Sequence, residues 1–323
     1  MTNIYFFLGK GGVGKTTISS AWAAGLAKIG RKTLLVSLDP AHTLSDALNV
    51  MVTGRIKRIS DSLDATEIDI DQMIQDYLQD VSTTMKSTYR YLSTLNIDRY
   101  FNILKNSPGV EEYAILEGIK EFVSKDEYDI IVFDTPPAGM MVRVLGMPRV
   151  SLVWTESLIA MRRKILSRRR MIENVQGRFE ADVGGEKVVL TSEEKEDPVM
   201  QELVSYKNEM EALRNLFSSQ SCKVSIVTMA EELALSETER IIGALKEFYI
   251  PVEKVYLNKY MRIENPPEEI IGKIEEQGSV VMRMKEELKG IDIIEIPMLR
   301  SSPRGVEVLL ALYRDYLKEG EKV

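Results

Sequence analysis

The run Gly9–Thr17, GKGGVGKTT, constrains the fold of this chain more than any other stretch. Its first eight residues, Gly9-Lys10-Gly11-Gly12-Val13-Gly14-Lys15-Thr16, fit the pattern G-x-x-x-x-G-K-[ST]. An apolar, strand-like run, Ile4–Leu8, precedes the loop, and an amphipathic helical pattern, Thr16–Ile29, follows it. Strand, glycine-rich loop and helix in that order make a phosphate cradle. Backbone N–H groups curl around the β-phosphate at the positive end of the helix. Gly9, Gly11, Gly12, Val13 and Gly14 are expected to form the curl, and Thr17 joins the nucleotide-binding set. Lys15 is expected to contact the β- and γ-phosphates and Thr16 to ligate Mg²⁺ through its hydroxyl.

The remainder of the chain extends this opening into an α/β pattern. Short apolar runs at Thr33–Leu38, Ile130–Asp134, Val224–Met229, Val255–Asn258 and Ile291–Pro297 read as buried parallel strands. Helical patterns such as Glu237–Phe248 and Pro303–Lys318 lie between them. The alternation predicts a doubly wound, mainly parallel sheet carrying the phosphate loop. Two stretches interrupt it. Residues 71–123 read as polar helices with Met73, Tyr77, Leu78, Val81, Met85 and Tyr89 at helical spacing. Residues 151–220 read as long amphipathic helices broken at Gly184-Gly185 and by the acidic stretch Glu193–Asp197. These two insertions are expected to form an α-helical subdomain, leaving 1–70, 124–150 and 221–323 as the nucleotide-binding domain.

Composition removes several classes of function. The 42 Lys and Arg against 49 Asp and Glu give a net charge of -7, which argues against nucleic acid and against anionic membrane surfaces as main partners. A single cysteine, Cys222, excludes an intrachain disulfide and a cysteine metal cluster. No apolar run approaches the roughly 18–20 residues that span a bilayer, and the opening run Ile4–Leu8 lacks the basic flank and cleavage site expected of a signal peptide. A cytoplasmic protein is expected.

Two further segments read as switches. Asp39, in SLDPAHTLSD, ends an apolar strand, where a carboxylate can orient the attacking water. Asp134, in IIVFDTPPAG, also ends a strand and is expected to hold Mg²⁺ through water, with Pro136-Pro137 and Gly139 as a stiff turn sensing the γ-phosphate. His42, the only histidine, reads as a structural hydrogen-bonding group.

Lys10 narrows the class, because an ordinary phosphate loop needs no lysine after its first glycine. GKGGVGKTT resembles the deviant loop of dimeric ATPases, in which that lysine reaches the partner subunit's nucleotide. Such a charge would act where negative charge develops on the transferred phosphoryl. DPAHTLSD, EIDIDQ (Glu67–Gln72), PGVEE (Pro108–Glu112), DTPPAGMMVRVL, EELALSETER (Glu231–Arg240), YLNK (Tyr256–Lys259) and IPMLRSSPRGVEVL (Ile296–Leu309) recur in order. Together they resemble the arsenite-pump and tail-anchored-protein-targeting ATPase family over nearly the whole chain. The resemblance implies ATP and Mg²⁺ as ligands, Asp39 and Lys10 as catalytic, Glu231 and Asn258 as nucleotide contacts, and Pro297, Met298 and Leu299, within Pro297–Ser301, as a loop over adenine. Met261, where guanine-reading proteins place an Asp, also favours ATP.

Three departures stand out. The family's switch turn is DTAPTGH, so Ala138 replaces a Thr and Met140 a His. The C-x-x-C that binds zinc across the dimer in targeting members is absent, so no zinc bound by cysteine is expected. The thiolates that bind metalloid in arsenite-responsive members are absent too. The implied partners are a second copy of the chain, a hydrophobic transmembrane-helix client and a membrane receptor.

Methionines 73, 85, 140, 141, 147, 161, 171, 200 and 210 suit either an adaptable apolar groove or gap filling in a helical core. The basic run Arg162–Arg170 reads as a solvated face balanced by Glu193–Asp197. The leading expectation is a homodimeric ATPase whose nucleotide state opens and closes a helical surface for hydrophobic clients. Rival readings are the driving subunit of a membrane anion pump, and a positioning ATPase that binds membranes through Glu307–Lys318. That last helix reads better as one packed on the sheet.

Overall fold

The computed structural model describes residues 2–39, 43–88, 107, 109–177, 180–183, 186–189 and 191–318. Pro40–His42, Tyr89, Pro108, Gly184-Gly185 and the side chain of Met85, all singled out above, lie outside the described residues. The chain divides into two compact units, one of residues 1–70, 118–145 and 217–323, the other of residues 71–117 and 146–216.

The first unit is built on a sheet of eight strands among the described residues, in the order β10-β9-β8-β1-β5-β2-β4-β3. These are β1 (Asn3–Leu8), β2 (Thr33–Ser37), β3 (Lys57–Ser60), β4 (Leu63–Glu67), β5 (Ile130–Asp134), β8 (Cys222–Thr228), β9 (Val252–Tyr260) and β10 (Asp292–Pro297). All neighbours pair in parallel except the edge strand β3. The six apolar runs read from sequence are all strands of this sheet. β3 and β4 carried no such signal. β4 reads LDATE, yet it is buried throughout, because the hydrogen bonds of its polar residues are met inside the fold. Asp64 accepts from Arg58 and from Tyr128 Oη, and Thr66 donates to the Thr53 carbonyl.

Helices α1 (Lys15–Lys28) and α2 (Leu44–Leu48) follow β1 and β2, and α9 (Val306–Leu312) closes the chain with a π-helical turn at Tyr313–Leu317. α1 is buried around its circumference rather than amphipathic, since the sheet covers one side and α9 with its π-turn the other. The final helix begins at Val306 rather than Pro303, because Gly305 sits at φ 84°, outside helical space. Leu309, Leu312, Tyr313 and Leu317 are buried in the core with α1. On one side of β1, Phe6 stacks on Phe133 at 4.9 Å and meets Phe217 edge-on at 6.0 Å. On the other, Phe7, Trp22, Tyr256 and Tyr313 form an aromatic cluster, and Trp22 Nε1 donates to Tyr256 Oη at 2.7 Å.

The second unit is not wholly helical. α3 (Ile70–Thr88) and the first half of α4 (Val110–Ser124), up to residue 117, contribute the first insertion. The 39-residue α5 (Ala138–Gln176) from residue 146 onward, the antiparallel pair β6 (Glu180–Val183) and β7 (Glu186–Val189), and α6 (Pro198–Phe217) contribute the second. The hairpin interrupts the helices expected there; its EADV and EKVV strands have four residues each, too short to stand out from the helical pattern around them. The acidic stretch neutralises the basic face of α5. Arg162 grips the buried Asp197 with bonds of 2.9 and 2.6 Å, Arg163 pairs with Glu194 and Arg170 with Glu193. The methionines divide: Met141, Met200 and Met210 fill core, whereas Met161 and Met171 are exposed. Two further helices of the first unit, α7 (Glu232–Glu247) and α8 (Glu268–Glu287), complete the description. Among the described residues, no helix is long and apolar enough to cross a membrane.

The seam between α1 and the π-turn supplies a test of this packing. A Cβ on Gly25 would lie 2.2 Å from Tyr313 Cγ. Gly25→Ala is therefore expected to cost about 1–3 kcal/mol despite the better helix propensity of Ala. Urea unfolding should show Tyr313→Leu relieving part of that cost; additive losses would refute the steric account.

Candidate nucleotide site

The carboxyl ends of β1, β2, β5 and β9 converge because their registers are in step. Phe7 and Ser37 both stand opposite Asp134, and Thr228 stands opposite Leu257. The loop after β1 is thus delivered beside Asp134 at the end of β5. Close approach dictates two of its glycines. A Cβ at Gly9 would fall 2.2 Å from the Val227 carbonyl oxygen, and one at Gly14, where φ is +102°, would fall 2.3 Å from Asn258 Nδ2.

Residues at the end of β9 hold the loop in shape. Asn258 Nδ2 donates to the Val13 carbonyl at 2.7 Å and Lys259 Nζ to the Gly12 carbonyl at 2.8 Å. The C=O and N–H of a trans peptide point opposite ways, so fixing these carbonyls turns the N–H groups of Val13 and Gly14 to the other side. Lys259 has φ +59°, a strained value for a side chain of its size. The motif reading gave it no role in shaping the loop; its place directly after Asn258 was the available signal. The switch turn is tied in through its backbone, since Ala138 N–H donates to the Gly9 carbonyl at 3.2 Å. That bond does not depend on the Thr that Ala138 replaces.

Lys15 is buried, with Nζ 3.3 Å from the Lys10 carbonyl and 3.9 Å from Asp39 Oδ2. Thr16 Oγ1 donates to Asp134 Oδ2 at 2.6 Å and lies 3.0 Å from Thr43 Oγ1. Thr43, four residues beyond Asp39 in DPAHTLSD, was not singled out from sequence, although its hydroxyl is brought to the centre of the site. Asp134 is fully buried, and its Oδ1 accepts no hydrogen bond. Burial pushes its carboxyl up to about 7, opposed by the Thr16 hydrogen bond and the Lys15 charge and assisted by Asp39. A buried carboxylate oxygen lacking a donor, beside a threonine hydroxyl, fits a hard divalent cation.

Lys15, Thr16, Asp39 and Thr43 border a cavity of about 740 Å³, and Asp134 lies buried behind Thr16. Gly11, Gly12, Gly14, Lys15, Thr16, Thr17, Asp39 and Asn258 line the cavity, together with Pro297, Met298 and Leu299 and the residues that continue them, Arg300–Pro303. Gly9 and Val13 support the loop from behind, being buried. Lys10 and Glu231 are exposed and do not line this cavity.

Residues 2–317 match the anion-transporting ATPase family. The chain belongs to that family. A putative arsenical pump-driving ATPase of Aquifex aeolicus is 29% identical over 309 residues, 95% of this chain and 96% of its own. The ATPase get3 of Aspergillus terreus is 29% identical over 312 residues, covering 94% of this chain and 87% of its own. ATPase GET3C of Arabidopsis thaliana is 27% identical over 325 residues, with 94% and 80% covered. As a family member the protein is an ATPase, with the mostly parallel α/β fold expected from its phosphate loop.

Asp134 gives a pH test on protein free of metal and nucleotide. Its folded pKa of about 7 exceeds the ordinary 3.8, so the folded state binds the extra proton. Its contribution to stability is therefore whole below the unfolded value and is lost as pH rises toward 7. Measured in chelator, the melting temperature of Asp134→Asn relative to the native protein should climb between those values, by the slope of about one proton, and then level off. A difference independent of pH would show that Asp134 does not hold the proton.

Proposed function

We propose that the protein is a homodimeric, Mg²⁺-dependent ATP switch of the cytoplasm that binds hydrophobic membrane-protein helices. The observation that carries the client is the face of α5. Val150, Trp154, Leu158, Met161 and Ile165 recur at helical spacing and are exposed, Trp154 at 69%. A continuous apolar stripe in solvent marks a binding surface. A cavity of about 400 Å³ opens beside it, lined by Met147, Val150, Trp154, Leu158, Leu203 and Tyr206 among others. Relatives named for Get3-type ATPases support the same reading.

In this scheme ATP lies along the phosphate loop with its base against Pro297, Met298 and Leu299. Lys15 neutralises the β- and γ-phosphates and Asp39 orients the attacking water. Thr16 directly, and Asp134 through water, would hold Mg²⁺, which when bound neutralises phosphate charge. Lys10 acts on the nucleotide of the second protomer, in keeping with its exposure outside its own cavity. Glu231 has the same exposure and is assigned to nucleotide contact. Loss of the γ-phosphate then releases the switches and changes access to the client surface, and a membrane receptor receives the client.

A second reading, the driving subunit of an arsenite-type anion pump, draws on the name of the Aquifex relative. Against it stands Cys222, the chain's one cysteine, which is buried with its thiol pushed up to about 12. Arsenite or antimonite is therefore expected to leave ATP turnover unchanged.

The client reading is tested by co-expression with a soluble carrier ending in one transmembrane segment of about 20 apolar residues. Native protein and Asp39→Asn should both capture it. Trp154→Asp with Leu158→Asp should lose it while ATP turnover stays within about twofold. Capture by neither protein, or capture indifferent to the double substitution, removes the client from the proposal and leaves the ATPase.

A further inference from the structure

Glu67 is the last residue of β4 and stands opposite Ser37 in the parallel ladder. Its side chain is buried at the first turn of α2. That short helix begins immediately after Thr43, whose hydroxyl does not cap it. The donors at its start go to Glu67 instead. Leu44 N–H and Ser45 N–H donate to Oε1 at 2.8 and 3.1 Å, and Ser45 Oγ lies 2.9 Å from Oε2. Ser45 Oγ also accepts from Val52 N–H at 2.9 Å, which ties the turn after α2 to the same centre. At its far end α2 is held again, by Gly305 N–H donating to the Ala47 carbonyl at 2.9 Å.

These bonds fix a helix whose preceding residue, Thr43, faces the phosphate loop. Thr43 Oγ1 is 3.0 Å from Thr16 Oγ1, and Asp39 Oδ2 is 3.9 Å from Lys15 Nζ. We infer that Glu67 is a positioning residue for ATP hydrolysis, its carboxylate setting where Thr43 stands against Thr16, beside Asp39 and Lys15, by receiving the first amides of α2. Glu67 is buried and does not line the cavity. It acts through the backbone of the switch, as an outer-shell partner does for a ligand. The bond from Gly305 gives α2 a second tether, near the loop assigned to the base. The inference rests on reading Asp39 and Thr43 as serving the γ-phosphate.

Different substitutions separate reach from charge. In Glu67→Gln the amide oxygen still accepts from Leu44 and Ser45, and its NH₂ can donate to Ser45 Oγ. In Glu67→Asp the charge remains, but the carboxylate withdraws by about 1.5 Å, one carbon–carbon bond. The expected result is a fall in kcat of about tenfold for Glu67→Asp. Glu67→Gln should stay within about threefold of the native protein, and ADP affinity within about twofold in both, because ADP lacks the group the switch serves. Equal kcat in Glu67→Asp and native protein overturns the inference. So does loss of ADP binding in step with kcat, which would mark a general structural role. Should Glu67→Asp lack a cooperative unfolding transition, Ser45→Ala decides: about threefold lower kcat with ADP binding intact supports the clamp, and native kcat overturns it. Asp39→Asn, assayed alongside, distinguishes the two levels. Retained turnover there sinks the site reading, whereas its loss beside a normal Glu67→Asp sinks only the clamp.

Discussion

Phe7 and Asp134 are register partners in neighbouring parallel strands, and the arrangement of the nucleotide site follows from that pairing. It brings the start of the phosphate loop and a buried carboxylate to the same edge of the sheet. Thr16, one residue into α1, can then donate to Asp134 across 2.6 Å. The next strand outward repeats the device, since Ser37 is also opposite Asp134 and the chain runs on to Asp39. No single contact here is strong. Their geometry is enforced by strands whose side chains on both faces are buried, Phe6 against Phe133 and Phe217 on one side, Phe7 among Trp22 and Tyr256 on the other. A close-packed core of this kind does not deform continuously, so it holds the site at one spacing.

How much of this was legible depended on whether the cause was local. The phosphate loop was, because the need for glycine at positions 9 and 14 is written in the motif and met again as close approaches to Val227 and Asn258. The six apolar strands were legible because burial on both faces leaves a continuous apolar run. β4 was not, since LDATE satisfies its polar groups through Arg58, Tyr128 and Thr53, residues set apart from it in sequence. With β4 unseen, Glu67 could be quoted only as part of a motif, without the helix start it supports. The grip of Arg162 on Asp197 spans 35 residues and was foreseen only as a balance of charge. The hairpin between α5 and α6 left only Val183 and Val188-Val189, too short a signal to mark two strands.

Asp134 also explains why the site cannot be judged by stability alone. A fully buried carboxyl with one oxygen lacking a well-formed hydrogen bond, and with only the Ser37 hydroxyl to ease it beside Thr16 and Lys15, is a cost to the protein by itself. Replacing it with a neutral side chain would ease that cost and remove the chemistry that calls for the carboxylate. Lys259 at positive φ is a second local cost, and it too falls at the loop. Both are carried by the aromatic core beneath, which is where sequence and function part company: the core is built for rigidity and the strain is spent at its edge.

α5 poses the complementary question, how a helix can stand with so much apolar surface in water. Leu152, Ile159 and Leu166 are buried on one side of it, the last two against Met200. Arg162, Arg163 and Arg170 take their partners from the acidic stretch 193–197. The remaining stripe, Val150 through Ile165, is therefore not needed to hold the helix in its own unit. Fully burying one large apolar side chain is worth about 1.5–3 kcal/mol, so several of them left exposed represent stabilisation available only on association. Mutation for stability alone would favour polar residues at Trp154 and Leu158. Under the proposed function their apolar character serves a client that is bound and let go, which is the work an ATP-driven switch is suited to regulate.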